Sequence, residues 1–514
     1  MLQLADMSRV KHTVRNTSFG ILRFAVQIIL QFAVRTIFIR TLGIKFLGID
    51  NLFLNVIAVL SIAELGVGAA IAYSMYKPAA NNDIEKVKSL TRLYFRINLI
   101  IAVIVFSLGL AIIPFLPLLM GGSFPDIPVN LHIVYLVFLI NAIVPLLIVH
   151  KQVLFLVYQR DDIQSKIVIT RMLIVKGLQI IGLLLLKNYY LFVGLLLIGT
   201  ILELAITILT TRKCYPEIRG RAKRLDIGTK KTIKKNVGAT AIHRIAGAVI
   251  FSFDSIFISA FFGLILLGTV SNYILIISSV TAVIGIFHAA TRGSVGNIIA
   301  KESVEKNFQT FKMINQGYLM FTGLCTVLMF CLFQPFIGIW LGKDLLLPFI
   351  VMLSIVIRFY FTNIRGFALT YKDCAGLMWN DWWKPIAEII VNISLTLLFI
   401  HLFDVEGIFF ATVVSTVLLP LWVEPFILHK HYFKKSVWPY FGRLALFTFV
   451  TAGAGALAFC VCSFLPTGII FLILRGLVSL SIVILIYFVF YGFTREFKQG
   501  LQLTKDLLLR KRKT

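Results

Sequence analysis

The sequence predicts an all-α polytopic membrane protein, and three observations predict it. Of its 514 residues, 59% are hydrophobic and only 14% charged, with a mean hydropathy of +0.92. Soluble domains carry roughly 45–50% apolar and about 25% charged residues, so no water-soluble core of this length could hide so much apolar surface. The apolar residues come in continuous runs rather than alternating with polar ones, which disfavours a membrane β-barrel. The basic residues, which give a net charge of +27, fall into every second loop between those runs, the signature of helices threaded back and forth through a bilayer.

A spanning helix needs about 20 apolar residues. Runs between charge clusters place fourteen candidate spans at 16–41, 47–76, 93–120, 131–157, 168–186, 190–210, 237–262, 268–290, 313–338, 346–370, 385–400, 407–428, 441–464 and 468–492. An even number of spans leaves both termini on one side. With the N-terminus inside, the inside segments hold more than thirty Lys and Arg, whereas the outside loops hold Lys45, Lys187 and Lys343. That bias predicts cytoplasmic termini. The polar stretch Met1–Asn16 followed by a long apolar run reads as a retained first span, not a cleaved signal peptide. Six cysteines form no C-x2-C pair and read as small packing residues.

The chain also repeats itself. Gly43-x4-Gly48 recurs as Gly263-x4-Gly268, and Glu85-Lys86 as Glu305-Lys306, both at an offset of 220; Pro114-Phe115 with Gly121 matches Pro335-Phe336 with Gly342 at 221. An offset covering six spans makes the copies parallel, the architecture in which carriers place a substrate site at the repeat interface. The predicted organisation is therefore a six-span N-lobe over 1–210, a basic cytoplasmic linker over 211–236 and a six-span C-lobe over 237–428. Two further spans lie within 441–492, and a basic amphipathic tail covers 493–514. The basic loops and tail suit anionic lipid headgroups, not nucleic acid.

Charged groups inside a span cost about 2.5–3.5 kcal/mol each on insertion scales, so those present mark function or internal pairing. The first span carries Asn16, Arg23, Gln27, Gln31 and Arg35 on one slowly drifting stripe. The second adds Asp50, Asn51, Asn55 and Glu64; the seventh Arg244 and Asp254; the eighth Ser271, Asn272 and His288. These spans open the two repeats. Arginine forks suit phosphate oxyanions, and Asn, Gln and Ser suit sugar hydroxyls. Lys176, Glu203 and Arg475 read equally well as internal ion pairs. Chemistry for a primary pump or hydrolase is missing. Gly338-Ile-Trp-Leu-Gly342-Lys343-Asp344 has one residue too few between its glycines for a phosphate loop, with Asp where a magnesium-binding hydroxyl belongs. No HExxH, GxSxG or metal-spaced cluster occurs, and no metal or cofactor is expected.

The stretch Thr41-Leu-Gly-Ile-Lys-Phe-Leu-Gly-Ile-Asp-Asn-Leu-Phe-Leu-Asn55, running through Ala63-Glu64-Leu65-Gly66 to Tyr76-Lys77-Pro78 and Asp83-Ile-Glu-Lys86, resembles the Wzx-like polysaccharide flippases of the multidrug/oligosaccharidyl-lipid/polysaccharide exporter (MOP) superfamily. Phe253-Asp254-Ser-Ile-Phe-Ile-Ser259 with Gly268-Thr-Val-Ser-Asn-Tyr273 is a second, weaker match. The resemblance implies alternating-access export of undecaprenyl-pyrophosphate-linked oligosaccharides across a bacterial plasma membrane, through a cavity lined by spans 1, 2, 7 and 8. Polysaccharide polymerase and glycosyltransferases would be partners. It further implies cavity arginines on the pyrophosphate. Arg23 fits that role, with Arg35 and Arg244 as further candidates, whereas spans 2 and 8 lack a mid-depth arginine. Gln27, Gln31, Asn55 and Asn272 are the candidate sugar contacts. Glu64 and Asp254 are candidates for a coupling cation or for pairing with arginine; the membrane potential is the other possible drive. The rival is a cation-coupled multidrug antiporter of the MATE type on the same scaffold.

Overall fold

A computed structural model describes residues 2–61, 67–122, 124–218, 220, 223, 225, 228 and 247–510. Among them every regular element is helical. The chain divides into two compact units, Met1–Gly268 and Thr269–Thr514.

The first unit contains α1 (Leu2–Leu42), α2 (Ile44–Leu60), α3 (Val67–Ala80), α4 (Ile84–Ile112) and the short α5 (Leu116–Leu119). It continues with α6 (Leu131–Leu146), α7 (Val149–Val157), α8 (Asp161–Leu186) and α9 (Tyr189–Cys214), then α10 (Gly247–Phe262). The next helix, α11 (Leu264–Lys301), begins in this unit and runs on into the second. α1 lies along α8, and α8 along α9. An aromatic cluster joins them, with Phe38 4.7 Å from Phe192 and 6.2 Å from Tyr189. Phe53 of α2 packs edge-on against Tyr135 and Phe138 of α6. Pro145 interrupts α6 near its end, and α6 and α7 meet at 41°, as expected where proline removes a hydrogen bond from the helix ladder.

The second unit continues with α12 (Val304–Trp340), α13 (Phe349–Ile364), α14 (Gly366–Cys374), α15 (Lys384–Leu418), α16 (Pro420–Ile427), α17 (Trp438–Ser463), α18 (Ile469–Tyr491) and α19 (Arg495–Arg510). α12 is its spine, packing on α13, α17, α18 and α19. The long α15 is a hairpin. Asp404 has a left-handed φ of 51°, Gly407 is so close to the preceding limb that a Cβ would meet the Phe399 carbonyl at 2.2 Å, and Asn392 Nδ2 donates to Thr412 Oγ1 and Ser415 Oγ at 3.1 and 3.2 Å. Pairing of residues on opposite sides of Asp404 requires antiparallel limbs, matching the separate expected spans 385–400 and 407–428.

Ten helices among the described residues are long and apolar enough to cross a bilayer, and the bent α6–α7 pair would make eleven. The chain is thus a multi-pass membrane protein. The difference from fourteen expected spans arises at identifiable places. Leu377–Phe433 qualifies as a single apolar stretch although α15 folds back within it. The span expected at 47–76 covers α2 and α3, which flank 62–66, outside the described residues. The span expected at 237–262 is described only from Gly247.

The duplication is visible in the backbone. α2 and α11 start 220 residues apart, each after a glycine of the same conformation: Gly43 with φ 92° and ψ 169°, Gly263 with φ 86° and ψ 171°. Positive φ at both positions favours residues without a Cβ. α4 and α12 also start 220 apart, with Asp83 capping the Lys86 amide and Ser303 capping the Lys306 amide. The broken pair α6–α7 has its counterpart in α13–α14, with the same lengths of 16 and 9 residues. Phe38-Ile39 stands five residues before Gly43, but Phe257-Ile258 stands six before Gly263. The extra residue is absorbed where α10 ends in a π-helical turn, Ile258–Phe262.

The duplicated glycines also meet within the first unit. A Cβ on Gly48 would fall 2.0 Å from the Leu264 carbonyl oxygen, and one on Gly268 2.4 Å from the Ile44 carbonyl oxygen. Leu264 and Gly268 are Ile44 and Gly48 moved by 220 residues, so the contact is reciprocal. Small residues allow such close backbone approach between membrane helices.

Candidate functional site

The polar stripe of α1 divides by depth. Asn16 is structural: its Nδ2 donates to the Gln159 carbonyl at 3.0 Å, and its Oδ1 accepts from the Asp162 amide at 3.1 Å. It helps seat the start of α8, where buried Asp162 is held by Arg15 at 3.2 Å, Arg160 at 3.3 Å and Lys166 at 3.7 Å. Arg23, Gln27 and Gln31 differ. Arg23 is half-buried and the two glutamines are exposed. None of the three makes a side-chain hydrogen bond or ion pair within the described residues. At about 100° per residue, they occupy the side of α1 roughly opposite exposed Ile21, Leu22, Ala25 and Ile29. One exposed side suits acyl chains; the other demands water or a polar ligand, because unsatisfied amides and a guanidinium are costly in hydrocarbon.

Arg35 belongs to a different environment. It lies near Asp50 of α2, on which Lys176 of α8 also acts electrostatically. Tyr189, at the start of α9, donates its phenolic hydrogen to Asp50 Oδ1 at 2.5 Å. Lys176 Nζ donates to Gln179 Oε1 at 3.0 Å, and Gln179 Nε2 to the Phe192 carbonyl at 2.8 Å. Four helices are joined around one buried carboxylate, with two cations to one anion. Asp50 was visible in the sequence as an intramembrane acid, but its tie to Tyr189, 139 residues away, was not.

The remaining sequence candidates fall as follows. Asn55 and Asn51 each donate their amide hydrogen one turn back, to Asn51 and Leu47 carbonyls at 2.8 Å, leaving side-chain oxygens to accept. Asp254 of α10 is buried. Asn272 of α11 is fully buried, with neither amide atom hydrogen-bonded among the described residues. Glu64 and Arg244 lie outside the described residues. No group of three or more potential metal-binding side chains occurs among the described residues.

Glu203 and its neighbours resolve as an internal network: it accepts from Gln152 at 3.0 Å and Gln164 at 3.2 Å, and pairs with Arg171 at 3.2 Å. Lys176 serves Asp50 instead. In the second unit a larger ion network locks α13–α16. Glu424 is gripped by both Arg365 and Lys384, while Lys384 also reaches Asp381 at 3.2 Å and Lys372 reaches it at 2.5 Å. Asp381, Lys372 and Glu424 are fully buried. Such alternation of sign pairs the buried charges, and removing any one member would leave its partners uncompensated.

No family model matches the sequence, and no curated protein matches it. Solved structures do match its fold. The lipid II flippase MurJ in an inward closed conformation aligns with 93% of this chain and 99% of its own, at 15% identity and a TM-score of 0.66. A multidrug resistance MATE family transporter of the MOP superfamily, inward-facing, aligns over 80% of this chain and 98% of its own, at 14% identity and 0.59. A MOP superfamily transporter from Pyrococcus furiosus, whose reverse-polarity binding pocket suggests a different function, aligns over 83% and 97%, at 14% identity and 0.53. These likenesses show that the chain shares its fold with those transporters and that flippase.

Proposed function

We propose that this protein is a flippase for polyprenyl-pyrophosphate-linked oligosaccharides, working by alternating access in a bacterial plasma membrane. It crosses that membrane fourteen times with both termini in the cytoplasm, as the loop charges require. The observation that carries the reading is the uncommitted side of α1: Arg23, Gln27 and Gln31, three polar side chains at successive turns within the apolar run of that helix, with no hydrogen bond or ion pair to another side chain among the described residues. A guanidinium offers a pyrophosphate paired donors, and two amides offer sugar hydroxyls both donors and acceptors. Asn55 and Asn272 extend the sugar contacts, and Arg35 and Arg244 are secondary anion contacts. The polyprenyl chain stays in lipid. The MurJ likeness supports a lipid-linked substrate by fold, and the resemblance of Thr41–Lys86 to polysaccharide flippases supports an oligosaccharide. The polymerase and glycosyltransferases that make and consume the repeat unit are the expected partners.

A cation-coupled multidrug antiporter is the second reading. The MATE likeness favours it, as do buried Asp50 and Asp254, where a proton or cation could bind; Glu64 would serve the same coupling role. Such coupling works only if the cation binds one state more tightly than the other.

One comparison separates the two. Arg23→Ala should abolish surface polysaccharide while its abundance in the membrane stays at the wild-type level, and Arg23→Lys should restore part of the output. A strain lacking the protein should lose surface glycan without becoming sensitive to cationic dyes. Normal glycan in the Arg23→Ala strain, or dye sensitivity with intact glycan, refutes the flippase reading.

A further inference from the structure

A second polar site stands apart from the α1 stripe, within the first unit. The first turns of α4 put Lys88, Thr91, Arg92 and Phe95 on one face, at helical spacings of three and four residues. α7 adds His150 and Lys151, and the last turn of α9 adds Arg212, followed by Tyr215. Together they enclose a cavity of about 210 Å³, far above the roughly 10–15 Å³ that a single water needs. Three helices distant in sequence thus bring four cations to one opening, and no carboxylate lines it among the described residues. Glu85 stands beside it, 3.4 Å from Lys88, and Glu217 lies on the short turn after Tyr215. Converging like charges repel, and an anion in their midst removes that penalty.

We propose that this cavity binds a phosphate-bearing anion. The chemistry of the lining is specific to that class. Arg92 and Arg212 offer planar forks that match two oxyanion atoms at once, and Lys88 and Lys151 are mobile point charges suited to a third. The threonines take no part as donors: Thr91 gives its hydrogen to the Val87 carbonyl at 2.8 Å and Thr211 to that of Thr207 at 2.7 Å. Tyr215, stacked on Tyr158 at 4.9 Å, is a donor throughout the physiological range, because burial pushes its phenol up to about 12. The cavity sits where the basic linker after α9 begins: Ser89 Oγ donates to the Lys223 carbonyl at 2.9 Å, and Gly220 passes close to the Lys88 ammonium. A ligand there would tie the linker to the ends of α4, α7 and α9.

Two sources share this chemistry, an anionic lipid headgroup and a soluble phosphate ester, and two measurements on the full-length protein distinguish them. The first counts phosphatidylglycerol retained in native mass spectrometry after reconstitution in phosphatidylcholine containing it. The second reads the thermal shift given by inorganic phosphate or glycerol 3-phosphate against chloride at equal ionic strength. The pocket variant is Arg92→Ala with Arg212→Ala, both exposed and so tolerant of change; Lys151→Gln, which keeps most of the side-chain bulk, is the second. The control removes two exposed cations that do not line the cavity, Arg96→Ala with Lys213→Ala. In the pocket variants the retained lipid should fall at least about tenfold, the effect of losing one charge-assisted hydrogen bond, while the control retains it. A phosphate-dependent shift in the wild type that vanishes in the pocket variants, with lipid retention unchanged, assigns the cavity to a soluble ester instead. Equal responses of wild type, pocket variants and control in both measurements overturn the proposal.

Discussion

Gly48→Ala should destabilise the protein even though alanine is the better helix former. In a helix interior the exchange by itself gains about 0.8–1 kcal/mol. At Gly48 the new Cβ would lie 2.0 Å from the Leu264 carbonyl oxygen and 2.7 Å from its carbon. Ordinary contact begins at 3.4 Å, so α2 and α11 must part by more than an ångström. The obstacle is backbone, which cannot rotate aside as a side chain can. Overpacking of this kind costs about 1–3 kcal/mol, leaving a net loss of up to about 2 kcal/mol once the propensity gain is subtracted. Gly268→Ala should act in the same direction and more weakly, its obstacle being 2.4 Å away. Because one separation of the helices relieves both clashes, the double variant should lose clearly less than the two single losses combined. Gly285→Ala, in the same α11 but with no atom within 4 Å, should raise stability. Thermal unfolding of the purified protein in detergent measures all four. A Gly48→Ala variant as stable as Gly285→Ala, or strictly additive losses at 48 and 268, would refute the reciprocal contact.

Glu424→Gln should cost about 3–5 kcal/mol, the range for breaking a buried charge pair, because Arg365 and Lys384 both lose their shared anion; a melting temperature within error of wild type would contradict the network. Glu496 anchors α19, at 2.9 Å from Arg443 and 3.6 Å from Lys312. Burial tends to raise its pKa, but a backbone hydrogen bond at the helix start and the two cations outweigh that and hold it below the usual glutamate value. A depressed carboxyl stabilises above its unfolded pKa, so docking of α19 should be intact at neutral pH and weaken as pH falls below about 4.3. Hydrogen exchange across 495–510 should rise over that acid range and should already be raised at neutral pH in Glu496→Gln; a pH-independent profile would count against the pairing.

The many-helix membrane fold was legible because each apolar run must satisfy its own backbone within the bilayer, a demand local to the segment; the full count of fourteen spans was not reproduced, ten or eleven qualifying among the described residues. The duplication was legible for a similar reason: Gly43 and Gly263 answer the same backbone requirement, and Asp83 and Ser303 the same cap. The candidate site was legible only in part. Composition could mark Arg23, Gln27 and Gln31 as out of place in lipid, but Asn16, on the same stripe, serves the start of α8, and Arg35 serves Asp50. Sequence spacing says which residues share a helix face, not what meets that face.

Local chemistry in the chain, then, was enough to establish a many-helix membrane protein built from two related halves. Tertiary structure alone assigned the charges: Tyr189 to Asp50, Arg365 and Lys384 to Glu424, and Lys88, Arg92, Lys151 and Arg212 to one cavity. The physical reason is range. A helix and its caps are decided within a few residues, whereas the partner of a buried charge is whichever distant group the packing brings within hydrogen-bonding reach.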